Sequence, residues 1–130
     1  MAGYTVCSAK DVPDILGEYP GAMHMFTGPL ETEQVAITFR RMPHRTGGKG
    51  SYGHRHKTQE EIYFVVSGTL QFKLDDEVIE LGPQTAVRVA PEVVRSVWND
   101  RTEEAELLIV STRIDDVRED VELVDDFWPE

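Results

Sequence analysis

His54 and His56 stand two residues apart. On an extended strand that spacing turns both imidazoles to the same face. Glu61 follows after four intervening residues, enough for a tight turn into the next strand, so a carboxylate can return toward the two rings. Two imidazoles and one carboxylate converging inside a closed sheet are a ligand set for a divalent metal. With coordination positions left open, the set suits Fe(II), Mn or Zn. A His-x-His pair is also what two surface histidines look like, and both readings stand at this point. His24, in the Ala22–Phe26 stretch, and His44, ten residues before His54, read as surface or packing residues before they read as further ligands.

The neighbours of these residues extend the pattern. Tyr52 shares the strand parity of His54, and Tyr63 that of Glu61. Either is a core aromatic or a pocket wall that stacks on a flat ligand and offers a hydroxyl. Between Arg40 and Gln59 the chain carries six basic residues (Arg40, Arg41, Arg45, Lys49, Arg55 and Lys57) and no acidic one. Such a window is a solvated face or the rim of an anion site, with Arg41, Arg45, Lys49 and Arg55 as the steering charges.

The elements that must position these groups are strands. Val35, Ile37 and Phe39 alternate with Ala36, Thr38 and Arg40. Glu61, Tyr63 and Val65 alternate with Ile62, Phe64 and Val66, both sets being mostly apolar, which predicts a strand covered on both sides. Leu70, Phe72 and Leu74 follow after Ser67-Gly68, their face being the interior one. Val78–Leu81, Thr85–Val89, Ser96–Asn99 and Glu106–Thr112 complete the set. About eight short strands between residues 34 and 112 predict an all-β sandwich or barrel. Residues 11–17 are expected to form a short helical turn capped by Asp11. The Gly-rich stretch Thr46–Ser51 lacks phosphate-loop spacing and reads as a mobile loop. The acidic tail, with Val121, Leu123 and Phe127 between carboxylates, is compatible with an extra edge strand whose apolar end, Phe127-Trp128-Pro129, needs cover from its own barrel or a second chain. Trp98 is expected to pack on the outer side.

Composition sets the outer limits. The chain has 130 residues with 24 Asp and Glu against 13 Lys and Arg, a net charge of −11. One domain spanning 1–130 accounts for that length. The acidic balance argues against nucleic acid or an anionic membrane as partner. The longest apolar run, Ile62–Val66, is too short to span a membrane as a helix. Cys7 is the single cysteine and reads as structural. With no basic-then-apolar leader pattern, it points to a cytoplasmic protein.

The segment Gly48–Gly68 resembles the first motif of the cupins: Gly, five spacers, His-x-His, four spacers, Glu, six spacers, Gly. Gly48, His54, His56, Glu61 and Gly68 fit every interval. The resemblance, carried by about residues 34–112, implies a single small jelly-roll β-barrel with His54, His56 and Glu61 facing its interior. It also implies a homodimer. Gly82 and the stretch 91–99 line up with the second motif, but there the chain departs from the family. Asn99 is kept, while Arg95 occupies the place of the third metal-binding His and Glu92 that of a Gly. A guanidinium stays protonated and has no lone pair to offer a cation. A unit charge ~5 Å from a divalent ion costs roughly 6–7 kcal/mol at an effective dielectric near 20. Metal is therefore expected to be weakly held or absent.

Three arrangements remain open from sequence. Arg95 swings toward Glu92 or solvent; or it pairs with Glu61 and fills the site; or an anionic ligand sits beside it. The expected function is a cupin-like protein that binds a divalent Fe, Mn, Ni or Zn through His54, His56 and Glu61, together with a small anionic molecule touching Arg95, Tyr52, Tyr63 and Asn99. Oxygenation, isomerisation and decarboxylation all fit, since the fold hosts many chemistries. The alternative is a non-catalytic binding module with a degenerate metal site. The sequence does not separate enzyme from binder.

Overall fold

Alternating apolar residues, cut at short intervals by Gly, Pro and Asp, produce short antiparallel strands that can close only by facing another sheet. The computed structural model describes residues 3–130; Met1 and Ala2 of the expected domain lie outside the described residues. The strands are β1 (Ala22–Met25), β2 (Val35–Met42), β3 (Thr46–Gly47), β4 (Ser51–His56), β5 (Glu61–Ser67), β6 (Leu70–Leu74), β7 (Glu77–Leu81), β8 (Thr85–Val89), β9 (Arg95–Asn99), β10 (Ala105–Thr112) and β11 (Val121–Trp128). Two single-turn helices, α1 (Thr27–Leu30) and α2 (Val117–Asp120), complete the set. One sheet runs β1-β2-β10-β5-β8 and the other β11-β4-β9-β6-β7, with β3 attached to β9. This is a two-sheet jelly roll. Among the described residues no helix is long and apolar enough to cross a membrane.

The inner faces meet in one core of Met42, Tyr63, Val65, Leu70, Phe72, Val89, Val97, Ala105 and Leu107. Leu70 and Phe72 are buried, as their alternation predicts. The outer face of β5 differs from expectation. Ile62 is 42 % exposed, so this strand has one covered face, and the apolar residues of the other lie against β8 and β10 neighbours such as Arg88 and Val110. Gly68 turns the chain between β5 and β6 at φ 80°, where a Cβ would stand 2.8 Å from that of Ala105; no larger residue fits there.

The N-terminal region departs from the expected helical turn over 11–17. Only Ala9–Asp11 forms a 3₁₀ turn. Asp14 instead accepts hydrogen bonds from the Leu16 and Met23 amides (3.0 and 2.9 Å) and bridges to His24, which ties the segment to β1. A carboxylate that captures amides in this way competes with helix formation. The C-terminal stretch does form a strand, paired antiparallel with β4, with Val121 opposite His56. Trp128 is buried, and the Phe127 ring lies under the Lys73 ammonium 3.9 Å from its centroid. The chain's own barrel therefore covers its apolar end. Trp98 is likewise enclosed, with its indole donating to Asp100 (3.2 Å) and the Arg45 guanidinium over its ring.

Candidate metal centre and adjoining cavity

Strand β4 carries His54 and His56 on one face, and β5, from the facing sheet, brings Glu61 to them. Nε2 of His54 and Nε2 of His56 lie 3.7 and 3.4 Å from the same oxygen, Glu61 Oε1. Candidate ligand atoms of the three residues all fall within 4.8 Å of one another. The rings meet edge to face, centroids 5.1 Å apart. Tyr63, two residues along β5, donates its hydroxyl to Oε1 at 2.7 Å. Burial pushes the Glu61 carboxyl up, but the His54 and His56 imidazoles and the Tyr63 hydroxyl outweigh it and hold it well below the usual carboxylate range.

Arg95 enters from β9, directly opposite His54 across the β4–β9 pair. Its side chain is 1 % exposed. The terminal nitrogens donate to the carbonyls of Ala90 (3.0 Å) and Pro91 (3.4 Å), while Nε faces Glu61 Oε1 at 3.7 Å with no hydrogen bond of its own. The guanidinium therefore does not swing toward Glu92 or solvent, and each terminal nitrogen spends one donor on a backbone carbonyl. The carbonyls that engage it belong to the altered turn before β9.

His56 is fixed from its other side. Its Nδ1 lies 3.0 Å from Asp120 Oδ2, at the end of α2. Asp120 also accepts from the Thr58 hydroxyl (2.6 Å) and amide (2.8 Å) and from the Gln59 amide (3.1 Å). Burial would raise the Asp120 carboxyl, yet these donors and His56 hold it below its ordinary value. Assigned from this hydrogen-bond pattern, the His56 proton sits on Nδ1. Nε2 is buried and faces Glu61 Oε1 with no hydrogen-bond partner of its own. Donor type, convergence and a carboxylate-oriented imidazole all fit a divalent cation.

A cavity of about 450 Å³ opens beside the cluster. His54, Tyr63, Arg95, Val97 and Tyr52 line it together with Arg40 and Ile109; His56 and Glu61 sit behind this wall. Leu16, Tyr19 and Met23 close it from the N-terminal segment, Tyr19 being clasped to Gly47 by its hydroxyl, which accepts from the Gly47 amide at 2.9 Å. Asn99 does not reach the cavity. It is fully buried at the far end of β9, where its amide donates to the Met42 and Glu103 carbonyls and accepts from the Arg101 amide. This is a backbone-bracing role that removes it from the expected ligand contacts. Nor do the expected steering charges line the cavity: Arg41 pairs with Glu104, Arg55 with Glu122, and Arg45 and Lys49 flank Trp98 elsewhere. His24 and His44 each engage a backbone carbonyl away from the cluster.

Sequence reasoning did not find Asp120 or Tyr19, and it counted Arg40 in the basic window without singling it out from its exposed neighbours. Asp120 is 64 residues from His56, and no local pattern marks it. Residues 41–111 match the Cupin domain family. The chain belongs to the cupin family. No curated protein matches this cupin. Among solved structures it is similar to a cupin protein from Bacteroides fragilis (22 % identity, 87 % of this chain and 86 % of that one covered, TM-score 0.68). It also resembles a sugar phosphate isomerase of the cupin superfamily from Silicibacter pomeroyi (17 %, 96 % of each chain, TM-score 0.71). KdgF from a Halomonas species is a third likeness (16 %, 88 % and 97 %, TM-score 0.67). At these identities the likeness establishes the fold.

Proposed function

We propose that this cupin binds a divalent first-row metal through His54, His56 and Glu61 and accepts a small anionic molecule in the adjoining cavity. One observation carries the reading. His56 Nε2, buried and without a hydrogen-bond partner, stands 3.4 Å from Glu61 Oε1 while Nδ1 of the same ring is engaged by Asp120. With the ring proton on Nδ1, Nε2 turns a lone pair toward that oxygen, and a divalent cation held by both atoms relieves their repulsion. Fe(II), Mn, Ni and Zn all suit two imidazoles and a carboxylate.

The charges of this chain complement the second half of the proposal. Glu61 and Asp120 cancel Arg95 and Arg40, so a bound dication leaves the site positive, which favours an anion in the cavity. Tyr63 and the two imidazoles hold Glu61 ionised, and Asp120 holds His56. The metal supplies Lewis acidity at its open positions. Isomerisation and decarboxylation would draw on that acidity, whereas oxygenation would need a redox-active metal such as Fe or Mn; the fold does not choose among them.

A second reading draws on a specific contact. Arg95 Nε reaches the same Oε1 at 3.7 Å, so a protonated His56 and Arg95 together could neutralise the two carboxylates without metal. Elemental analysis of protein purified without chelator from metal-replete medium separates the readings. About one equivalent of a first-row metal, lost in His54→Ala, is the expected result. Metal-free protein whose melting temperature is indifferent to EDTA favours the second reading.

A further inference from the structure

Arg40 lies on β2 in register with Leu107 of β10 and Met23 of β1. It shares strand parity with the core residue Met42, so its side chain is directed inward, and it lines the cavity. Its Nε is buried with no hydrogen-bond partner, and its guanidinium forms no ion pair among the described residues. A largely desolvated cation without a counter-charge is costly, and folds retain one where something else supplies the anion. Burial moves its pKa down from the ordinary arginine value, and the tyrosines around it, Tyr19, Tyr63 and Tyr52, offset only part of that.

We infer that Arg40 recognises the anionic end of the cavity's ligand, and that this ligand is a small molecule carrying one oxyanion, carboxylate or phosphate, on a skeleton with an apolar face. The inference rests on the reading of the cavity as a ligand site. Three facts on the cavity wall support it. Arg95, the other guanidinium there, already has its terminal nitrogens on backbone carbonyls. The remaining lining includes Leu16, Met23, Val97 and Ile109 with three tyrosines, which suits carbon and ring faces more than a chain of hydroxyls. Arg40 belongs to one sheet and His54 to the other, so the guanidinium and the imidazole line the cavity from different walls. A planar guanidinium fork matches either oxyanion with paired charge-assisted hydrogen bonds.

The test uses benzoate and phenyl phosphate as probes and benzamide as the neutral counterpart. Each is titrated calorimetrically into the full chain, first stripped with EDTA and then supplied with Mn²⁺. At least one oxyanion is expected to bind about tenfold or more tightly than benzamide, and which one does so identifies the ligand's anion. Arg40→Gln is expected to lose that preference while taking up Mn²⁺ as the wild type does. Arg41→Gln, on the exposed face, retains it. Equal affinity for benzamide and both oxyanions, no binding of either oxyanion, or a preference that survives in Arg40→Gln overturns the proposal. The wild-type comparison needs no variant, so misfolding of Arg40→Gln leaves the test intact. Oxyanion preference in protein that never takes up Mn²⁺ would sink the metal reading and leave Arg40 standing.

Discussion

At the scale of the residue, the cluster turns on one oxygen. Glu61 Oε1 meets a hydroxyl, two imidazole nitrogens and a guanidinium nitrogen. The position the cupin pattern gives to a third imidazole holds a cation instead, so Arg95 is the residue that limits metal affinity. Arg95→His is expected to tighten Mn²⁺ or Zn²⁺ binding by about tenfold or more, since it removes a like charge and adds a donor. Competition with a chromogenic chelator checks this; unchanged affinity would mean that the pocket is closed to a third ligand. The change also leaves the Ala90 and Pro91 carbonyls without their donor, so some loss of stability, of about 1–3 kcal/mol, should accompany the gain. Residue types were legible where strand parity alone decides. A period of two puts His54 and His56 on one face and a short turn lets Glu61 return toward them, while the cupin resemblance is what turned that face inward. Arg40 was illegible for the opposite reason. A charge in an alternating strand suggests the solvent face, yet here the charged set Ala36, Thr38 and Arg40 is the inner one, fixed by pairing with β10 rather than by anything local.

At the scale of the element, the two terminal segments act on the barrel from outside its core strands. Asp120 at the end of α2 orients His56, and removing such a partner weakens metal binding by about 10–100-fold. Asp120→Ala is therefore expected to reduce metal affinity by that factor while His54 and Glu61 stay in place, as isothermal titration can show. At the other end Asp14 ties Leu16 to β1. Its amide hydrogen bonds from Leu16 and Met23 depress the carboxyl's pKa below 3.8. A depressed carboxylate stabilises above its unfolded value and loses that contribution as the pH falls through the folded one. The amide proton resonances of Leu16 and Met23 should thus shift together only as the pH falls through the lowered Asp14 pKa. In Asp14→Ala that step should vanish. Element assignment followed the same division. Strands with strong alternation, β5 and β6, could be read directly. β1, with only Ala-Met-His-Met, is a strand because β2 offers it an edge. The expected turn at 11–17 failed because Asp14 takes the amides that a helix needs.

At the scale of the whole molecule, metal and fold are linked by mass action. An ion that binds the folded chain alone adds about 2.7 kcal/mol at a hundredfold excess over its Kd. For a chain of this length that raises the melting temperature by several degrees. Calorimetry with and without Mn²⁺ should show the rise in the wild type and its absence in His54→Ala; equal responses would place the ion elsewhere. The two-sheet architecture was foreseeable because nearly every strand from β2 to β10 carries its own turn residues. Tyr52 and Tyr63 were legible as cavity walls from strand parity, but Leu16 and Tyr19 before the first strand and Ile109 on β10 were not, being distant in sequence from the motif.

The pairing of β11 with β4 gives the molecule a form of quality control. Val121 zips onto the backbone of His56 itself, one residue after the carboxylate that aims that ring. A chain halted before residue 117 could still assemble both main walls of the jelly roll, yet its second imidazole would be free to rotate. The last stretch of polypeptide to be made is thus the one that steadies the second imidazole, and a half-finished copy lacks that hold.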